Sequence, residues 1–182
     1  MLAKRVAIVT GGGYGIGREI ALAYAKAGAS VVIAARTLGP LEATRTETEK
    51  IGGRVFVVPG DISKEADCAR IVEQTIARFK HLDILVNNAG IAGATKRMTE
   101  MTLAEWQEVI DINLTGAWLA SGAAVPVMLK QGSGNILMIS SGAGRRGYPL
   151  RAPYAASKWA MIGLAQTLAG ELGTSGIRVN CS

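Results

Sequence analysis

The sequence predicts an α/β protein, a doubly wound parallel sheet with helices on both faces, and two observations predict it. Short runs rich in Val and Ile recur without alternation of polar and apolar residues, the pattern of strands buried on both sides. Segments with helical spacing separate them, and strands that alternate with helices are joined by right-handed crossovers that lay helices over both faces of one sheet. Hydrophobic residues at 49% against charged residues at 19% supply enough apolar surface for such a sheet and exclude a disordered chain. Composition does not shift along the 182 residues, so one domain, residues 1–182, is expected.

The elements follow in order. A strand over residues 5–9 runs into a glycine-rich turn and an Ala-rich helix over 15–27. A strand over 30–34 precedes a helix over 41–51, and a strand over 54–58 precedes a helix over 64–79. The fourth strand, 83–86, leads to one long helix over 103–129; the fifth, 135–140, leads to a helix over 152–172; the sixth spans 177–181. Ligands of such sheets bind beyond the carboxyl ends of the strands, so functional residues belong just after them. Gly11 stands after the first strand, Arg36 after the second, Asp61 after the third, Asn87-Asn88-Ala89-Gly90 after the fourth and Ser140-Ser141 after the fifth. Five post-strand loops with polar or glycine signals define one rim.

Several classes of function are set aside. His81 is the only histidine and Cys68 and Cys181 are far apart, so no metal site, disulfide framework or histidine-based triad is expected. No Gly-x-Ser-x-Gly elbow is present. The net charge of +6 comes from Lys and Arg spread along the chain rather than from a basic run, which points away from nucleic acid and toward an anionic small ligand. With no charged leader and no uninterrupted apolar stretch of membrane-spanning length, the expectation is a soluble cytoplasmic protein with no membrane partner. Trp106, Trp118 and Trp159 read as packing or subunit-contact residues, and Arg145 and Arg146 as a solvated loop.

Thr10-Gly11-Gly12-Gly13-Tyr14-Gly15-Ile16-Gly17 closes the first strand and opens the first helix. Glycine allows the sharp turn and lets backbone N–H groups approach a pyrophosphate, to which the helix N-terminus offers partial positive charge. At the end of the second strand, where an acid would bond the adenosine ribose, stands Ala35, followed by Arg36, a residue suited to an extra phosphate. NADP(H) is therefore favoured, with NAD(H) as the alternative.

The Thr-Gly-x-x-x-Gly-x-Gly spacing resembles the short-chain dehydrogenase/reductase family, whose core is Rossmann-like. Further motifs agree in order: Asp61-Ile62, Asn88-Ala89-Gly90, Asn113 within Asp111-Ile112-Asn113-Leu114-Thr115-Gly116, Ser141 thirteen residues before Tyr154, and Tyr154-Ala155-Ala156-Ser157-Lys158 as the Tyr-x-x-x-Lys signature. The resemblance covers nearly the whole chain. It implies that Gly11, Gly13, Tyr14, Gly15, Ile16, Gly17, Arg36, Asp61, Ile62, Asn88, Ala89, Gly90, Tyr154 and Lys158 contact the cofactor. Asn113, Ser141, Tyr154 and Lys158 are then the catalytic set, with Ser141 and Tyr154 also binding substrate. Tyr14 departs from the basic residue that many NADP-using relatives carry in the turn.

The residue types suit that chemistry. Tyr154 and Lys158, four apart, project from one helical face. One ammonium about 4 Å from a phenol, at an effective dielectric near 20, favours the phenolate by roughly 4 kcal/mol. The implied activity is hydride transfer between a nicotinamide cofactor and a small-molecule carbonyl or secondary alcohol. Tyr154 is then the acid/base, Ser141 orients the substrate oxygen, Lys158 holds the ribose and Asn113 positions a relay water. Residues 176–182 match the family's sixth strand, so the expectation is six strands, with the family's seventh strand and substrate-covering loop missing and the domain incomplete at its C-terminus. A second reading follows, a truncated, catalytically idle nucleotide-binding or interaction module. Assembly as a homodimer or homotetramer is implied through the helices beginning near Leu103 and Ala152.

Overall fold

The computed structural model describes residues 2–182. Six strands, β1 (Val6–Thr10), β2 (Ser30–Ala34), β3 (Arg54–Val57), β4 (Ile84–Asn87), β5 (Gly134–Met138) and β6 (Ile177–Cys181), form one sheet in the order β3-β2-β1-β4-β5-β6. Every pairing is parallel. The helices are α1 (Gly15–Lys26), α2 (Leu38–Lys50), α3 (Glu65–Phe79), α4 (Leu103–Ile110), α5 (Gly116–Gln131) and α6 (Ala152–Leu172). The order explains the unbroken apolar runs: β1 and β2 lie inside the sheet and every one of their residues is buried.

Side-chain alternation divides β1 between two cores. Ala7 and Val9 meet Ala21 and Ala25 of α1 and Leu41 of α2, while Ile8 meets a larger cluster that includes Ile71 of α3, Ala120 of α5 and Met161 of α6. Burying one such Ile or Leu contributes about 1.5–3 kcal/mol, so both faces drive the layered arrangement.

The structure departs from the sequence expectation in two places. The helix expected over 103–129 is interrupted: α4 ends at Ile110, a π-turn covers Asp111–Thr115, and α5 begins at Gly116. Helical periodicity barely registers one extra residue per turn, and the widened turn carries Asn113 inward to a fully buried position. Close packing sits beside it, since a Cβ on Gly116 would lie 2.4 Å from Ile62 Cδ1. Second, α2 begins at Leu38 rather than Leu41, with Pro40 in its first turn, where a missing N–H costs no helical bond. By length and hydropathy residues 103–131 would also pass for a membrane-crossing helix. Part of that composition is packed inward, since Ala117, Ala120, Ala124 and Met128 are buried in the sheet core.

Candidate active site

β1 sits between β2 and β4, so the crossovers leave it in opposite directions and a crevice opens above its end. A cleft of about 500 Å³ occupies that place. Gly11, Gly13, Tyr14, Gly15 and Ile16 line it from the glycine turn, Arg36 from beyond β2, and Asp61 and Ile62 from beyond β3. Asn88, Ala89 and Gly90 reach it from beyond β4, and Tyr154 and Lys158 from α6. Gly17 lies behind the turn instead: a Cβ there would fall 2.3 Å from both Asn88 Nδ2 and Gly11 O.

Thr10, the last residue of β1, fixes the floor. Its hydroxyl donates to Val86 O and accepts from the Asn88 and Ala89 N–H groups at 3.1 Å each. Asn88 returns a bond from Nδ2 to Thr10 O at 2.9 Å, so the ends of β1 and β4 are locked together beneath the cleft.

At the other end of the cleft, Lys158 is only 4% exposed. Its ammonium donates to Ile139 O at 2.7 Å and stands 5.8 Å from the Tyr154 ring centroid. Burial holds the Lys158 ammonium below its ordinary range, partly offset by the neighbouring Cys181. Ser141 does not line the cleft itself but caps the 3-10 turn Gly142–Gly144 that follows β5. Its oxygen accepts from Ala143 N at 3.2 Å, which leaves its proton free to donate.

Asn113 lies behind the cleft wall, within the π-turn. Its Oδ1 accepts from Ile91 N at 2.7 Å, and its Nδ2 donates to Ile91 O at 2.9 Å and to Ser157 Oγ at 3.1 Å. Both amide protons are used and the residue is fully buried, so the side chain braces the loop after β4.

The family model for short chain dehydrogenases matches residues 5–182. The chain belongs to the short chain dehydrogenase family. A 3-oxoacyl-acyl-carrier-protein reductase of Synechocystis sp. is 40% identical over 180 residues, covering 98% of this chain and 72% of that protein. A metagenomic short-chain oxidoreductase solved in complex with NADP superposes with a TM-score of 0.95 at 36% identity, covering 99% of this chain and 81% of that one. An NAD+-bound xylitol dehydrogenase superposes with a TM-score of 0.97 at 31% identity, covering 99% and 69%.

The residues of this short chain dehydrogenase fit a dinucleotide. Gly15, at φ +50°, has nothing within 4 Å of the place a Cβ would take, so a side chain there would stand in the open cleft. Tyr14 gives α1 no side-chain cap, so the first-turn N–H groups remain free to bind an anion. Arg36 is exposed and forms no ion pair among the described residues, and Ala34 and Ala35 put no carboxylate at that corner.

Sequence reasoning gave no role of their own to three polar residues that build this short chain dehydrogenase site. Thr10 was already inside the glycine motif, and Ser140 and Ser157 stood beside residues singled out. Ser157 donates to Tyr154 O at 2.8 Å while accepting from Asn113. No motif spacing separates such bracing side chains from their reactive neighbours.

Proposed function

We propose that this protein is a nicotinamide-dependent oxidoreductase that interconverts a small-molecule carbonyl and its secondary alcohol, with NADP(H) favoured over NAD(H). The reading is carried by one observation: the glycine turn and the Tyr154–Lys158 pair open onto the same cleft. In this reading the turn from Gly11 to Gly17 and the α1 N-terminus hold the pyrophosphate, while Asp61 and Ile62 take the adenine end. Arg36 meets a ribose phosphate, the feature that favours NADP(H). Asn88, Ala89, Gly90 and Lys158 hold the nicotinamide end.

A bound nicotinamide supplies or accepts the hydride. The chain does the rest. Tyr154 gives its hydroxyl proton to the substrate oxygen during reduction and removes it during oxidation. Lys158, buried in the same cleft, sets its ammonium near the Tyr154 ring. Ser141, with its proton free, donates to the same oxygen and orients it. Asn113 and Ser157 keep α6 and the loop after β4 in register.

Two further parts belong to the proposal. The protein pairs with a second copy through α5 and α6, whose Trp118 and Trp159 are 57% and 51% exposed. It resides in the cytoplasm, in keeping with its unpaired thiols Cys68 and Cys181. Fluorescence titration with NADPH and NADH, followed by a panel of ketones and aldehydes, tests the reading. Saturable NADPH binding with carbonyl-dependent NADPH oxidation is expected. Binding without turnover would leave only the idle nucleotide-binding module, and no binding at all would end the proposal.

A further inference from the structure

The two serines after β5 do different things. Ser141 keeps its hydroxyl proton, as described above. Ser140 also lines the cleft, but its proton is committed: Oγ donates to Lys158 O at 2.8 Å. Lys158 lies inside α6, where the helical ladder already engages its carbonyl, so this bond is not needed to satisfy an orphan acceptor. Its effect is on position.

Lys158 is held twice by consecutive residues of one strand end. Its ammonium donates to Ile139 O at 2.7 Å, and its carbonyl accepts from the hydroxyl of Ser140. Ser140 is itself anchored to the sheet edge, because its N–H donates to Ser182 O at 2.6 Å and Ser182 N donates to Met138 O at 2.9 Å. The contact is tight on its third side. A Cβ on Gly144 would fall 2.5 Å from Ser140 Oγ and 2.8 Å from Lys158 O, so only glycine lets the turn carrying Ser141 close over this bond. The groups facing the ammonium are Tyr154 on its own helix and Cys181 on β6, with Arg145 near that thiol.

We propose that Ser140 is a positioning residue for Lys158: by holding the Lys158 carbonyl to the end of β5, its hydroxyl sets how α6 stands over the cleft and keeps the ammonium at the cleft edge. Gly144 serves the same contact by leaving room for it. The consequence for the cofactor rests on the role proposed above for Lys158, whereas the consequence for the position of Lys158 does not.

The test is peptide-mapped acylation of Lys158 by an N-hydroxysuccinimide acetate ester on the whole chain without cofactor, paired with NADPH titration and thermal unfolding. Losing one hydrogen bond corresponds to about a tenfold change. Ser140→Ala and Gly144→Ala are therefore expected to label at Lys158 about tenfold faster than wild type and to bind NADPH several-fold more weakly. Ser140→Thr, which keeps the hydroxyl, and Ser141→Ala are expected to label like wild type. Unchanged labelling in a folded Ser140→Ala protein overturns the inference, whatever Gly144→Ala does. Faster labelling in Ser140→Ala from a protein whose wild type binds no NADPH sustains the positioning role and sinks the proposed function instead.

Discussion

Replacing Gly17 by Ala strikes the cradle without touching any reactive group. The added Cβ would sit 2.3 Å from Gly11 O and 2.3 Å from Asn88 Nδ2, where unstrained contacts lie at about 3.5 Å, so more than an ångström must be recovered. Neither neighbour can yield freely. Gly11 O is backbone in a turn held at φ +68°, and Asn88 Nδ2 is bonded to Thr10 O at 2.9 Å. The first turn of α1 must therefore back away from the cleft. Overpacking of this kind costs about 1–3 kcal/mol of stability. Withdrawing the helix N-terminus from an anion costs about 1 kcal/mol more in binding, roughly a fivefold to tenfold weaker NADPH complex. Urea denaturation and NADPH titration read the two effects. A Gly17→Ala protein as stable as wild type, with NADPH affinity within twofold, would refute the steric reasoning.

Other outcomes follow from the same geometry. Arg36→Asp should weaken NADPH binding by about 1.5–3 kcal/mol, the range for a charge-assisted bond, and raise the relative affinity for NADH; parallel titrations check it. Burial pushes the Cys68 thiol from 9.0 to about 11, and its Sγ donates to Ile62 O at 3.2 Å. The folded state thus keeps a proton that the unfolded chain releases first. The resulting stabilisation is fully present below pH 9, falls as pH rises through about 11, and by pH 10.5 about 2 kcal/mol of it is gone. Lys158 acts in the opposite sense, its depressed pKa favouring the fold as pH rises toward 10.5, so the quantity to measure is the difference in pH slope between wild type and Cys68→Ala. Equal slopes would remove Cys68 from the account. Trp118→Glu should shift the sedimentation coefficient from a dimer to a monomer if α5 and α6 form the subunit contact, and an unchanged coefficient would place the contact elsewhere.

The fold was legible because its signals are local and repeated. Each buried strand announces itself as an apolar run, each helix by spacing, and the parallel sheet follows from their alternation. The cleft was legible for a related reason: in a parallel sheet, residues just past strand ends gather at one edge, so Gly11, Arg36, Asp61 and Asn88 could be grouped without coordinates. Three things were not legible. The π-turn at Asp111–Thr115 adds one residue to an otherwise helical pattern, and only tertiary contacts reveal that it turns Asn113 toward Ile91 and Ser157. The division of labour between Ser140 and Ser141 depends on which hydroxyl has its proton engaged, which adjacency in sequence cannot tell. That the Lys158 ammonium donates to Ile139 O depends on where the end of β5 lies against α6, which spacing on a helix does not reveal.

The most direct measurement is carbonyl-dependent oxidation of NADPH by wild type and Tyr154→Phe side by side, with the NADPH dissociation constant determined for both. The account predicts turnover in wild type, a loss of about 10²–10⁴-fold in Tyr154→Phe, and NADPH affinity unchanged within twofold. Turnover in Tyr154→Phe comparable to wild type would contradict it, because the proton would then be coming from somewhere other than the phenol at the edge of this cleft.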